Sequence, residues 1–390
     1  MFPQVRALKS PQKLGDSEGM ALNNPKCPAC GGKMKRNGRT SSGAQRWRCR
    51  RCGASSTHGN DTDSRALKRF LAWLLTKERQ VDMQGGGRTF RRNAERFWRL
   101  WPLPRDIDEI HRVIYVDGIH LGRTAVVLIA ASDEYVLGWH LAKSENADAW
   151  GRLIARVAPP QMVVTDGGSG LAKAVRRFWP STRIQRCVFH AYTQVRTYTT
   201  SRPRLQAGAE LLSLAEELLR IETLHQAEWW VERFMQWSAF WADFLEEKTR
   251  IDGRMQYTHE RLRKARASLA TLINKGVLFT YLDPVLSASG PLPATNNRIE
   301  GGINSPLRDM LRNHRGLSVT RRIKAVFWWC YLHQECPPSP AEMLRTMPTD
   351  DDIDLLQSLF ATKPDPLGRP ERWGSGLVWE ELHMGTPYRE

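Results

Sequence analysis

Apolar residues change their period along the chain, and each change marks a candidate domain. Between residues 65 and 77, Ala66, Leu67, Phe70, Leu71, Leu74 and Leu75 recur at helical spacing. After Gly85-Gly86-Gly87 a second helix is expected over Thr89–Leu100, stopped by Trp101-Pro-Leu-Pro104. From residue 112 the pattern becomes that of strands: Val113–Val116, Thr124–Ala131 and Tyr135–Leu141, each closed by a turn. A helix at 147–157, a buried strand at Met162–Thr165, a helix at 169–178, a strand at Arg183–Cys187 and a helix from His190 follow. The order β-β-β-α-β-α-β-α predicts a ribonuclease H-like mixed sheet within a multidomain α/β chain.

Residues 203–292 carry almost no strand signal and are expected to form an all-helical insertion. Leu211, Leu212, Leu214, Ala215, Leu218 and Leu219 give one helix, and Trp230, Phe234, Trp237, Trp241 and Phe244 fall on one face of a second. That stripe reads as core, while Trp229 and Phe240 fall off it and are free to stack on an unpaired base. Helices resume at 295–313 and 320–333. The expected division is a flexible lead-in (1–24), a cysteine module (25–58), a helix-turn-helix (62–104), the sheet domain in two parts (110–202 and 293–336) around the insertion (203–292), and an acidic tail (337–390).

Charge sharpens this division. The 390 residues hold 58 Lys+Arg against 41 Asp+Glu, a net +17. Residues 1–110 carry 23 basic and 10 acidic side chains, whereas residues 337–390 carry 5 and 10. An excess concentrated at one end points to a polyanionic partner. Apolar runs such as Ala125–Ala131 are far too short to span a membrane, and the amino end lacks a signal-peptide pattern, so a cytoplasmic, membrane-free protein is expected.

Four of the seven cysteines form Cys27-x2-Cys30 and Cys49-x2-Cys52 with 18 residues between the pairs. That spacing suits one structural Zn²⁺ held by four thiolates, the alternative being disulfides or free thiols. Arg46, Trp47 and Arg48 lie beside the second pair and read as a phosphate grip. In the second helix of the helix-turn-helix, Arg88, Arg91, Arg92 and Arg96 suit a DNA groove; the alternative is a solvated charged face. Arg261 and Arg263 give the insertion a basic edge for DNA.

The chemistry is expected from three acids. Asp117 ends the first strand in Val116-Asp117-Gly118, and Asp166 ends the fourth in Thr165-Asp166-Gly167-Gly168. In this topology those strands are parallel neighbours, so the two carboxylates emerge side by side and call for a dication of Mg²⁺ or Mn²⁺ type between them. Glu300, in the polar helix start Asn296-Asn297-Arg298-Ile299-Glu300, is the candidate third ligand. Cys187 and His190 follow the fifth strand and read either as half of a metal site or as supports beside the carboxylates. His120 is similarly open.

Together these motifs resemble bacterial insertion-sequence transposases of the Mutator-like DDE group, in the subgroup with an amino-terminal zinc ribbon. The resemblance runs over residues 25–335. It rests on Arg46-Trp47-Arg48-Cys49, Gly87-Arg88-Thr89-Phe90-Arg91-Arg92, Asp117-Gly118, Asp166-Gly167-Gly168-Ser169-Gly170-Leu171, Cys187-x2-His190, Tyr257-Thr258-His259-Glu260-Arg261-Leu262-Arg263 and Asn296-Asn297-x2-Glu300. It implies a catalytic Asp117–Asp166–Glu300 triad working with two Mg²⁺ (or Mn²⁺), with the insertion between the second and third acids. It also implies Cys187 and His190 as a signature beside the site, and terminal inverted repeats as substrate. The expected partners are double-stranded DNA, both transposon ends and target, and a second copy of the chain in at least a dimer. The rivals are a ribonuclease H-like nuclease or resolvase that never joins ends, and a non-catalytic DNA-binding regulator.

Overall fold

The computed structural model describes residues 24–26, 32–53, 55–58, 62–83 and 85–361. Cys27 and Cys30, nearly all of the lead-in and residues 362–390 of the expected tail lie outside the described residues. The chain divides into two units, one of residues 104–308 and one in which 24–103 join 309–361.

The second unit opens with three antiparallel strands, β1 (Met34–Arg39), β2 (Gln45–Cys49) and β3 (Ser55–His58), in that order. Strand alternation decides which side chains are used inside: Arg46 and Arg48 point out, while Trp47 and Cys49 turn in against Met34. Two helices follow, α1 (Thr62–Leu75) and α2 (Gly86–Ala94). The second is shorter than its periodicity suggests, giving way to a 3₁₀ turn at Glu95–Arg99.

The first unit is built on five strands: β4 (Val113–Leu121), β5 (Ala125–Ala131), β6 (Val136–Ala142), β7 (Met162–Thr165) and β8 (Arg183–Arg186). Their order is β6-β5-β4-β7-β8, with β4, β5 and β6 antiparallel and β7 and β8 parallel to β4. This is a mixed α/β unit. β5 is buried throughout, as a central strand with both faces covered must be. Helices α3 (Ala147–Ile154) and α4 (Ser169–Phe178) close a core that includes Val116, Leu128, Trp150, Leu171 and Trp179. Helix α5 (Val188–Thr199) leads from β8 into the insertion.

The insertion holds α6 (Gln206–Glu217), α7 (Leu224–Phe240), α8 (Ala242–Glu246), strands β9 (Lys248–Ile251) and β10 (Arg254–Tyr257), and α9 (Glu260–Asn274). It is therefore not all-helical. β9 and β10 form a hairpin around Asp252-Gly253, both at positive φ (49° and 77°), the conformation a two-residue turn of this hand requires. The strands are short and polar, so no apolar alternation announces them. Trp230 and Phe234 of the expected stripe are buried and stacked, and the Trp230 Nε1–H donates to the Leu214 carbonyl at 2.8 Å. Trp229 and Phe240, off the stripe, are exposed.

The chain returns along β8 both before and after the short helix α10 (Pro284–Ser287). The Arg186 N–H donates to Val277 O, the Val188 N–H to Ala294 O, and the Gln185 side chain to Leu278 O. There follow α11 (Asn297–Ile299), a π-helical turn at Glu300–Asn304 and α12 (Ser305–Asn313), the last crossing from one unit to the next.

The expected second part of the sheet domain, 293–336, thus ends near Arg308. Beyond it lie α13 (Val319–Leu332), α14 (Pro340–Thr346) and α15 (Asp350–Ala361), grouped with the unit of α1 and α2. Residues 337–361 are not an acidic tail but two capped helices. Ser339 and Glu342 form a capping box around Pro340, and Thr349 donates to Asp352. Acids of this segment are paired: Asp350 with Lys324 and Asp351 with Arg99. Among the described residues no helix is long and apolar enough to cross a membrane.

Candidate active site

The sheet itself aligns the first two acids. β4 and β7 run parallel with Tyr115 opposite Val164, and the same register carried two residues further sets Asp117 beside Asp166. Asp117 is half-buried, its Oδ1 accepting the Gly118 N–H at 2.8 Å and its Oδ2 accepting Asn304 Nδ2–H at 2.6 Å. Burial pushes its carboxyl up to about 7. The Gly118 N–H opposes that rise, and the nearby charges of Asp166, Glu300 and Glu145 add to it. Asp166 is held by the Gly168 N–H at 3.3 Å.

The third acid comes from the π turn. Wide turns of this kind are rare in helices and frequently fall at functional sites. Here the turn carries Glu300 at its first residue and the fully buried Asn304 at its last, and both reach Asp117, one as a charge and one as a donor. Glu300 Oε1 is buried without a hydrogen bond, and His190 Nδ1, equally without one, lies 3.4 Å from it. The structure therefore brings Asp117, Asp166 and Glu300 to one edge of the sheet.

Cys187 and His190 join them. Their ligand atoms and one Glu300 oxygen lie within 4.8 Å of one another, close enough to share an ion. Burial nevertheless holds the Cys187 thiol above its usual range, and its sulfur already accepts the Asn296 N–H at 3.2 Å. Asn296, fully buried, also donates from Nδ2 to the Val116 carbonyl at 3.3 Å. It ties the start of the Glu300 helix to β4 on one side and to α5 on the other.

Several charged or polar residues here escape a sequence reading. Arg186 ends β8 with its guanidinium packed against Gly167. A Cβ on that glycine, already at φ +97°, would collide with it. Burial depresses the Arg186 pKa while Asp166 opposes that shift, and its Nη1 is buried without a hydrogen bond. Glu145, from the turn before α3, lies against Gly118 and is hydrogen-bonded through Oε1 to His120 Nε2 at 2.9 Å. Asn296 and Asn304 are legible in the polar run 295–304; Glu145 and Arg186 carry no local signal.

The residues expected to meet DNA are distributed elsewhere. Arg46, Arg48, Arg88, Arg91 and Arg92 are exposed. Arg96 is exposed but paired with Asp63 at 2.9 Å. Trp47, read as part of the phosphate grip, is instead 7% exposed and belongs to the small core of its sheet. Arg261 is exposed and donates to the Thr197 carbonyl. Arg263 is absorbed by the fold: it donates to the Leu245 carbonyl, pairs with Glu246 and stacks over the Tyr257 ring at 3.6 Å.

Residues 117–251, from the first acid to the hairpin, match the model of the Mutator family of transposases. The chain is also 22% identical over 170 residues to the transposase for insertion sequence element IS905 of Lactococcus lactis subsp. lactis, strain IL1403. That similarity covers 39% of this chain and 42% of the relative, so the match spans less than half of either protein.

Proposed function

We propose that the chain, whose residues 117–251 match the Mutator family of transposases, is a DDE transposase with a ribonuclease H-like catalytic sheet. It would bind the terminal inverted repeats of its element and catalyse strand cleavage and strand transfer. The observation that carries this reading is the meeting of Asp117, Asp166 and Glu300 at one sheet edge from three distant parts of the chain.

The donor set fits a pair of Mg²⁺ or Mn²⁺ ions. It consists of hard carboxylate oxygens, one buried without a hydrogen bond and one belonging to an acid whose proton is retained to about 7 by burial and like charge. Such ions supply activation of the attacking water or 3′-hydroxyl and stabilisation of the departing oxygen. Asp117 would hold both, with Asp166 and Glu300 on one each. Asn304 fixes the Asp117 carboxylate by its bond to Oδ2, and Asn296 fixes the helix that delivers Glu300. Arg186 keeps a cationic donor beside Asp166, suited to the phosphate being cut. Cleavage and joining are then one in-line displacement with different nucleophiles.

At the amino end, Cys27, Cys30, Cys49 and Cys52 would hold the structural Zn²⁺. The described half fits: Cys49 Sγ accepts the N–H groups of Arg51 and Cys52 at 3.3 and 3.5 Å, as in a knuckle that presents a thiolate. Arg46 and Arg48 with Arg88, Arg91 and Arg92, the latter on a helix-turn-helix of α1 and α2, form the proposed DNA grip. Two ends to be joined call for at least a dimer.

The test is Asp117→Asn. It abolishes both cleavage and joining of a duplex carrying the element's end while leaving that duplex bound in a mobility-shift assay; retained cleavage refutes the assignment.

A further inference from the structure

We propose, resting on the reading of this chain as a DNA transposase, that the β9–β10 hairpin is a ribbon that enters the major groove of the duplex beside the cleavage point.

The hairpin has no core to serve. Residues 248–256 are all exposed, and Ile251 and Met255 stand 47% and 62% exposed. A two-stranded hairpin by itself is marginal in water, so this one depends on its root. There the Thr258 N–H donates to the Glu247 carbonyl at 2.9 Å, His259 Nε2 lies 3.0 Å from Glu247 Oε2, and Arg263 stacks over the Tyr257 ring. The root is fixed and the tip is left uncovered.

The side chains at the tip say what would cover it. Directly opposed residues of an antiparallel pair share a face. Arg250 is opposed to Met255 and Ile251 to Arg254, so each face of the ribbon carries one guanidinium and one bare apolar chain. The ion pairs of this region among the described residues join Glu246 to Arg263, Glu247 to His259 and Glu260 to Lys264, and leave Arg250 and Arg254 unpaired. A surface for a protein or a membrane would gather its apolar residues on one face. Protection of the strand edges would need the charges but not the bare Ile251 and Met255. A ribbon inside a groove meets a wall on each side. The major groove is wide enough for two strands, and its walls offer phosphates to arginine and sugars and thymine methyls to apolar chains.

The position fits as well. Arg261, just beyond β10, donates to the Thr197 carbonyl of α5, the helix that carries His190 in its first turn. From His190 to Thr197 that helix runs about 10 Å. Four strand residues reach about 14 Å further. Both lengths together stay within the roughly 34 Å of one DNA turn.

The experiment is an anisotropy titration of the full zinc-loaded chain, across a salt series, with a labelled duplex carrying the element's end and with one of unrelated sequence. Arg250→Ala with Arg254→Ala weakens binding at least about tenfold and lowers the slope of log K against log salt by about 2. Arg250→Lys with Arg254→Lys restores the slope. Ile251→Ala with Met255→Ala weakens binding less, at an unchanged slope. All four side chains are exposed, so the melting temperature stays at the wild-type value. Hydroxyl-radical protection of the end duplex is lost within one turn of the cut phosphate; loss elsewhere overturns the placement. Affinity and slope equal to wild type in the alanine pair overturn the ribbon, and a variant that still cuts the end duplex then keeps the active-site reading. Should the wild-type chain bind duplex without cutting it, the active-site reading fails, and the change in slope still decides for or against the ribbon. Unchanged DNA binding with loss of a dimer in sedimentation assigns the hairpin to a second copy of the chain instead.

Discussion

Two places in this protein take charge out of water, and they resolve the cost in opposite ways. In the helical unit, Lys324 is 2% exposed, yet its ammonium donates to the Trp98 carbonyl and to Asp350 Oδ1, both at 2.5 Å, and that carboxylate also accepts the Trp101 Nε1–H at 2.6 Å. Opposite charges and donors close the account locally. At the sheet edge, Asp117 meets Asp166, Glu300 and Glu145, all of its own sign, with Glu300 Oε1 left without a hydrogen bond. Buried charge that is satisfied holds a fold together; buried charge of one sign that is left unsatisfied marks a place kept open for a ligand.

The contrast can be broken most directly through pH. A carboxyl whose folded pKa stands above its unfolded value destabilises the fold as pH climbs from near 4 to about 7, and the full cost persists above that. For Asp117 the cost reaches up to about 4 kcal/mol. Metal-free protein is therefore expected to lose melting temperature across that window, with Mg²⁺ restoring it at neutral pH and Asp117→Asn flattening the slope. A metal-free melting curve independent of pH would remove the contrast. The next effect belongs to the satisfied pair. Asp350→Asn strands the Lys324 ammonium and destabilises the helical unit by about 3 kcal/mol, read by calorimetry or denaturant titration. The smallest effect sharpens the point: Lys324→Met replaces the buried cation by an apolar chain of similar length, and stability stays within about 1 kcal/mol of wild type. Asp350 is 22% exposed and keeps its Trp101 donor, so it is not stranded in turn.

Much of the sheet was readable because β4 to β7 are nearly unbroken apolar runs, and two of them, β4 and β7, carry or lead into an acid followed by glycine. The strand order expected from the apolar pattern then sets Asp117 beside Asp166. Glu300 was readable from its polar surroundings, since a helix that opens Asn-Asn-Arg-Ile-Glu in an otherwise apolar stretch has few structural reasons to do so. Glu145 was not readable: Ser144-Glu145-Asn146 looks like an ordinary helix entry, and only the folded chain sets its carboxylate against Gly118 and His120. Trp47 shows a misreading that alternation could have prevented, because Arg46-Trp47-Arg48-Cys49 sends the cysteine and the tryptophan to the same face. The helix at 353–361 is visible in the apolar spacing of Ile353, Leu356 and Phe360, but the partners of the acids before it are not: Asp350 and Asp351 are received by Lys324 and Arg99, distant in sequence.

The π turn at Glu300–Asn304 makes helical phase a controlled quantity. An uninterrupted α-helix turns about 100° for every residue it gains or loses. Drawing out the single loop of wider pitch would thus swing one flank of the rod against the other by roughly that angle. Ile299 and Ile303, both fully buried, anchor the rod into its bed, so the swing could not be absorbed by rolling the whole element. The spacing between Glu300 and the Asn304 amide that holds Asp117 is consequently set by chain length itself. Along this stretch a single added or missing codon would be more disruptive than most exchanges of one side chain for another.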